Sequence, residues 1–519
     1  MTTSGSTTGL AKPRGVTLRT GFVYSFLFAS TLRLIPEIVA WPNVIGYDTV
    51  TYYAPVLAHL ALTPNHLKLL LSTPNYSPLL YLLLTPFARI FGEFPTLRFC
   101  AVITYGLLGA TIFTFTQWQL EWSPKAGLFA SILAASYFVL LRIGLDLFKN
   151  VVGLVLLLAI LALMQGGYET PRWRILIIVL GVLLAATYQL SALILLFVAL
   201  GLALFKLLSG RGSAALWIVT SILPAATVLF ILTLLGAGAA SAFFSARGVA
   251  IHFLPLNAQG TPSSPLVNYL VQYGSYSALT ADVERLFLFL YVPILPLALL
   301  GLNRNRVLGL MTLPLLPGSF SLIVFPEAAV GLWYRWMFML TIPLALYAAN
   351  GSLRLVRRVK NKKRRLYAAT LILLVIGSMG VGFAVLPAEA PLAYFIRPEL
   401  RPYFPPTMQT SAIPLRDEQD AMAILKQLDT MMGGDSVLLV HESFYGWASL
   451  AITGNTTIID YHLGQPTDAL PLARELGFTR VYWVWWLPGY EWHNYQARLD
   501  LFRPVLQSGH LAIFLYSPN

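Results

Sequence analysis

The chain has 519 residues, 57% of them hydrophobic and only 11% charged, with a mean hydropathy of +0.69. A soluble domain carries roughly 25% charged residues, so composition excludes a soluble protein and indicates a polytopic membrane protein. The formal net charge of +13 does not point to nucleic acid: eight Lys and Arg lie between Arg354 and Arg365, and most others sit in short loops between apolar runs, the positive-inside pattern.

The N-terminal tail, 1–19, carries Lys12, Arg14 and Arg19. It reads as a basic cytoplasmic flank with no cleavable signal peptide. Apolar runs long enough to cross a bilayer follow at 20–40, 96–118, 125–141, 151–165, 173–188, 190–208, 214–236, 285–302, 307–325, 336–349 and 367–386. A twelfth run, 77–91, is short and holds Pro78 and Pro86. If it crossed, every basic loop would move outside. The sequence therefore predicts an interfacial helix at 77–91 and about 11 transmembrane helices, with 20–386 as the membrane domain.

That parity puts four polar segments on the outer face. The first, 41–95, contains WPNVIGYDTVTYY with Asp48, Tyr52 and Tyr53. The second, 142–150 (RIGLDLFKN), holds Arg142, Asp146 and Lys149. The third, 237–284, contains Arg247, His252, Asp282 and Glu284, and the fourth, 326–336, contains Glu327 and Arg335. The bend 187–191 (TYQLS) faces the same side. Segment 387–409 is a Pro-rich linker. Segment 410–519 alternates helical and strand patterns: helices at 417–428, 466–476 and 491–502, and strands at 436–441, 456–461, 480–486 and 510–516. It reads as a small, mostly parallel α/β domain, outside the membrane. Asn75 and Asn455 head outward-facing glycosylation sequons.

Sugar transfer from a lipid phosphate needs a carboxylate for the acceptor, cations for the leaving phosphate and a groove for the lipid. Asp48, paired with Asp146, suits the first role and Arg335 the second; Arg142 and Lys149, beside Asp146, can share either task, with Tyr52, Tyr53, His252 (a general base or metal ligand) and Glu327 as further substrate-side candidates. Simpler readings compete. Asp48 has the identity of an N-cap for a helix beginning at Thr49, Asp146 can pair with Lys149 one turn on, and Arg335 can snorkel among Trp333, Tyr334 and Trp336. Arg33 and Glu37, one turn apart in the first span, read as a structural pair or as pathway residues. His252 is otherwise a solvated loop histidine. His441–Trp447 (HESFYGW) is either packing or a cover for the site.

In this order of features the chain resembles the GT-C superfamily of integral-membrane glycosyltransferases, among them oligosaccharyltransferases, protein O-mannosyltransferases and aminoarabinose transferases. The matching features are GYD ending at Asp48, the Arg142/Asp146 stretch, TYQLSALILL from Thr187, Arg335 and the C-terminal domain. It departs in lacking D-x-D or E-x-D in the second outer segment and W-W-D-Y-G in the C-terminal domain, and Gln189 stands where the bend often has His. Its style is that of divergent archaeal or bacterial members transferring single sugars.

The resemblance implies a GT-C-like fold, catalytic Asp48 and Asp146, a polyprenyl- or dolichyl-phosphate sugar donor, and a protein, lipid or glycan acceptor. It also implies membrane lipid contact, with Mg or Mn, if used, at Asp48 and Asp146. A transporter or flippase of lipid-linked sugars is the alternative expectation, and a non-catalytic membrane subunit a further one. Neither paired halves nor broken helices are evident in the sequence.

Overall fold

The structure, a computed structural model, describes residues 17–62, 78–166, 171–235, 250–253, 275–303, 305–325, 333–385, 413–453, 456–461, 465–490 and 500–517. The linker 387–409, Glu327, Arg247 and both sequon asparagines lie outside them.

The membrane part is mainly helical over its described residues. It comprises α1 (Leu18–Ala40), a π-helix (Thr49–Tyr53), α2 (Ala54–Leu62), α3 (Pro78–Phe91), α4 (Glu93–Trp118), α5 (Pro124–Ser136), α6 (Phe138–Asp146) and α7 (Phe148–Gly166). Then come α8 (Pro171–Thr187), α9 (Gln189–Leu208), α10 (Gly212–Leu235), α11 (Tyr276–Tyr291), α12 (Leu295–Gly301), α13 (Arg306–Ser319) and α14 (Ser321–Val324). The last three are α15 (Trp333–Met339), α16 (Thr341–Arg358) and α17 (Lys362–Val385). Each of the eleven apolar runs falls on helix. By length and apolarity 6 segments are able to cross a membrane, or up to 8 if each bent pair counts as one span. Apolar side chains face outward along these helices, including Phe22, Leu27 and Ile38 on α1 and Leu371 and Leu374 on α17. Hydrocarbon in place of water removes the cost of that exposure.

Two apolar helix pairs are sharply bent, which the sequence did not reveal. α5 and α6 meet at 64°, and α11 and α12 at 70°. At the first break Tyr137 has extended backbone geometry, so the α5 ladder stops and a new helix starts after it. α11 also begins at Tyr276, earlier than the expected span start at 285, so Asp282 and Glu284 belong to a helix. Close helix approach elsewhere rests on glycine: a Cβ on Gly351 would strike the Leu297 carbonyl, and one on Gly301 the Tyr347 carbonyl.

The C-terminal region contains α18 (Glu418–Met431), β2 (Ser436–Val440), α19 (Glu442–Ala451), β3 (Thr457–Asp460), α20 (Leu470–Glu475), β4 (Arg480–Trp486), β5 (Phe502–Ser508) and β6 (Leu511–Tyr516). The expected strands and the first two helices are present within a few residues. The expected helix at 491–502 lies mostly outside the described residues, and its last residue, Phe502, opens β5 instead. β5 alternates poorly in burial and carries Pro504, which hides it from a periodicity argument. The sheet is mixed, with the order β1-β3-β2-β4-β6-β5. β1 to β4 run parallel, while β6 is antiparallel to both β4 and β5.

The edge strand β1 (Ala250–Phe253) comes from the segment between α10 and α11 of the membrane part. Backbone hydrogen bonds thus tie that segment to the C-terminal sheet. The segment after α1 is tied as well, because Val44, Val50, Tyr53, Ala54 and Leu57 share one apolar cluster with β2, β3, β4 and α19. Glu418 Oε2 accepts from the Val44 amide at 2.8 Å. Gly446 of α19 lets the two parts touch, since a Cβ there would lie 2.5 Å from the Val50 carbonyl oxygen and 2.7 Å from Thr51 Cα. The HESFYGW stretch therefore packs directly on the segment after Asp48.

Candidate active site

Asp48 sits where the turn after α1 enters the π-helix. Its side chain makes no capping hydrogen bond, it is only 4% exposed, and its Oδ1 has no protein partner. The simple capping reading is therefore corrected. Capping stabilises a helix by satisfying its first amides, and this carboxylate points elsewhere.

Asp146, the last residue of α6, is fully buried. Its partner is Arg142, one turn back on the same helix, which donates through Nη1 to Oδ1. The continuous helix on which a one-turn pairing with Lys149 would rest is interrupted, since α6 ends at Asp146 and α7 begins at Phe148. Lys149 places its ammonium 4.7 Å from the Tyr81 ring centroid and 5.8 Å from that of Tyr53, while its backbone amide donates to the Tyr53 hydroxyl at 3.4 Å. Such ring faces hold a cation without neutralising it.

The two aspartates meet. The Asp48 backbone amide faces the Asp146 carboxylate. Gly46, at φ +105°, brings the turn against the Asp146 side chain so closely that a Cβ would collide with it. Burial, and then the Asp146 charge, push the Asp48 carboxyl up to about 7, against the opposing pull of Arg335, Arg142 and Lys149.

Arg335 lies on α15, whose Trp333 and Tyr334 are buried. Its Nε is buried without a protein partner, the Tyr188 hydroxyl lies beside it, and its charge faces Asp48. A membrane anchor would direct its guanidinium to water; this one is directed into the protein.

Asp48, Asp146, Arg142, Lys149, Arg335 and Tyr53 thus surround one locus. Tyr52, 41% exposed, borders it through an edge-on contact with Tyr47, ring centroids 6.1 Å apart. His252 is a residue of β1, in register with Ile459, and its side chain lies outside the described residues, as does Glu327. Among the described residues no group of three or more His, Cys, Asp or Glu forms a ready metal cage.

Sequence reasoning missed two contributors. Tyr188 and Asn150 stand beside each other and Arg335; the TYQLS bend was the available signal for the first. The other is an acidic pair beneath Tyr47. Glu442, the first residue of α19, and Asp460, the last of β3, face one another at the carboxyl ends of parallel strands. Burial, and then the Asp460 charge, push the Glu442 carboxyl up to about 8.

The chain is similar to two solved structures of an archaeal oligosaccharyltransferase. Both are from Archaeoglobus fulgidus. One is a complex with Zn and sulfate, at 15% identity and TM-score 0.49, covering 89% of this chain and 67% of that one. The other, AglB with an inhibitory peptide and a dolichol-phosphate, is 14% identical with TM-score 0.47, covering 90% and 69%. No protein-family model matches the chain, and no curated protein does.

Proposed function

We propose that this protein is a membrane glycosyltransferase that moves a sugar from a polyprenyl- or dolichyl-phosphate donor to an acceptor on the extracytoplasmic side. The observation that carries this reading is the meeting of Asp48 and Asp146, from segments far apart in sequence, with Arg335 and Lys149 at the seam between helical bundle and sheet. Asp48 Oδ1 is the acceptor-side group: an incoming hydroxyl or amide donates its proton there as its heteroatom attacks the anomeric carbon. The bond from that carbon to the phosphate oxygen breaks, and its electron pair leaves with the phosphate. Arg335 and Lys149 receive the resulting charge, Arg335 being suited to two phosphate oxygens at once. Asp146, held by Arg142, keeps the Asp48 turn in place and adds negative potential.

The donor set also fits a hard divalent cation. Asp48 Oδ1 and Asp146 Oδ2 are buried oxygens without a hydrogen-bond donor from the protein, and magnesium is commonly held by one or two carboxylates plus substrate phosphate and water. Bound there, Mg or Mn would add positive charge opposite the leaving phosphate.

One observation favours the transporter reading: broken helices such as α5/α6 and α11/α12 frequent transporter sites. The groove between these breaks, about 680 Å³, is lined by Phe138, Phe289, Val292, Pro293, Met379 and Phe383. Apart from the Ser378 hydroxyl that lining is apolar and holds no charged group, and the charged groups gather at the seam instead, which favours the enzyme.

The test is sugar transfer by the full chain in membranes, with donor and acceptor extracts supplied. Asp48→Asn at equal expression should lower the rate by about 10²- to 10⁴-fold, the usual span for a lost general base. A wild-type rate in that variant would sink the proposal.

A further inference from the structure

Three charged residues of α1 and α4 are left over from the site chemistry: Arg33 and Arg98 each hold a segment that carries one of the two aspartates, and Glu37 lies between them. Arg33 is fully buried. Its Nε donates to the Gly144 carbonyl at 2.7 Å, and Nη2 donates both to the Leu145 carbonyl at 3.0 Å and to Glu37 Oε1 at 2.7 Å. Gly144 and Leu145 are the residues just before Asp146, and their carbonyls are among those a helix end leaves without an intrahelical donor. Arg33 therefore closes the end of α6 from a different helix.

Arg98 of α4 does the corresponding work on the other segment. Its guanidinium donates to the carbonyls of Pro42 and Asn43, the latter at 2.7 Å, and stacks over Trp41 at 4.6 Å from the ring centroid. These residues form the turn that runs into Gly46, Tyr47 and Asp48. Glu37 joins the two arginines, with Oε1 on Arg33 and Oε2 3.6 Å from Arg98 Nε. A lone ion pair within a span needs only its partner; here each cation also donates to two backbone carbonyls beside the site, Arg33 to Gly144 and Leu145 and Arg98 to Pro42 and Asn43.

We infer that Arg33, Glu37 and Arg98 form a positioning bracket that fixes the approach of Asp48 to Asp146, which deepens the proposed transfer reaction and rests on it for the catalytic consequence. None of the three touches the reacting atoms. Their part is to stop the 41–48 turn and the end of α6 from sliding past one another.

The test separates geometry from catalysis. Ile45 and Leu145 share a small apolar cluster with Ala40 between the two bracketed segments. In the full chain with Cys100→Ala, cysteines at 45 and 145 are oxidised with copper-phenanthroline, and the disulfide yield is read on gels. Glu37→Gln and Arg98→Gln should each lower the initial rate of cross-linking at least about fivefold with the melting temperature and elution volume retained, and Arg98→Lys, which keeps a donor for Asn43, should restore it. Arg98 is the safer variant to fold, because its side chain is partly exposed (15%). In the transfer assay Glu37→Gln and Arg98→Gln should lower kcat with KM unchanged. Unchanged cross-linking in the folded Arg98→Gln protein overturns the bracket. If wild-type protein transfers no sugar, the proposed function fails while the cross-linking result still decides the bracket.

Discussion

Gly46 lies so close to Asp146 that a β-carbon on the glycine would overlap the side chain of the aspartate, and its φ of +105° is one that other residues rarely adopt. Contact between the two segments thus depends on a missing side chain. Gly46→Ala should therefore cost about 1–3 kcal/mol of stability through overpacking and separate Asp48 from Asp146. Thermal unfolding in detergent reads the first effect and transfer rate the second. Activity falling no further than the loss of folded protein explains would refute the idea that this contact serves the site.

Arg335 offers a test of charge against shape. Arg335→Ala should lower turnover by about 10²- to 10³-fold, the span seen when one preorganised donor to a developing anion is removed. Arg335→Lys should recover only part of that, because a point charge replaces the two-pronged donor. Full recovery with Lys would show that the guanidinium fork is not used.

Glu442 provides a pH signature. Its folded carboxyl is raised to about 8, above the ordinary value of 4.5, by burial and by Asp460. A raised pKa means the folded state prefers the proton, so the group costs nothing below about pH 4.5 and costs progressively more as pH rises toward 8. Glu442→Gln removes that cost. The variant's melting temperature should exceed that of wild type at pH 8 by more than it does at pH 5. Parallel curves across that range would contradict a buried acidic pair at the strand ends.

The orientation in the membrane that we propose rests on the 354–365 cluster, because insertion bias favours keeping Lys and Arg in the cytoplasm. Ser352 and Ser436 are fully buried and make poor probes, whereas Lys362 and Gln427 are exposed. In a Cys100→Ala background, an impermeant thiol reagent on intact cells should label a cysteine at 427 and spare one at 362. The opposite pattern would reverse the topology and place Asp48 on the cytoplasmic side.

Hydrophobic run length and basic-residue placement were enough to determine the membrane class, the helical content and the positions of the apolar helices, because these depend on local composition. Strands such as Arg480–Trp486 were legible for the same reason: near-continuous apolar runs bounded by turn residues mark a buried strand. Tertiary structure decided what local patterns do not encode. The breaks at Tyr137 and after Tyr291 follow from packing. β1 exists because the segment between α10 and α11 finds β3 across more than two hundred residues. The break in the helix between Asp146 and Phe148 is a tertiary feature, and Gly46 and Gly446 read as ordinary loop or helix glycines until their neighbours are known. Asp48 was visible in the sequence as an acid out of place. That it meets Asp146 and Arg335 was settled by long-range contact, in which burial and neighbouring charge, set by residues hundreds of positions away, give a carboxylate its chemistry.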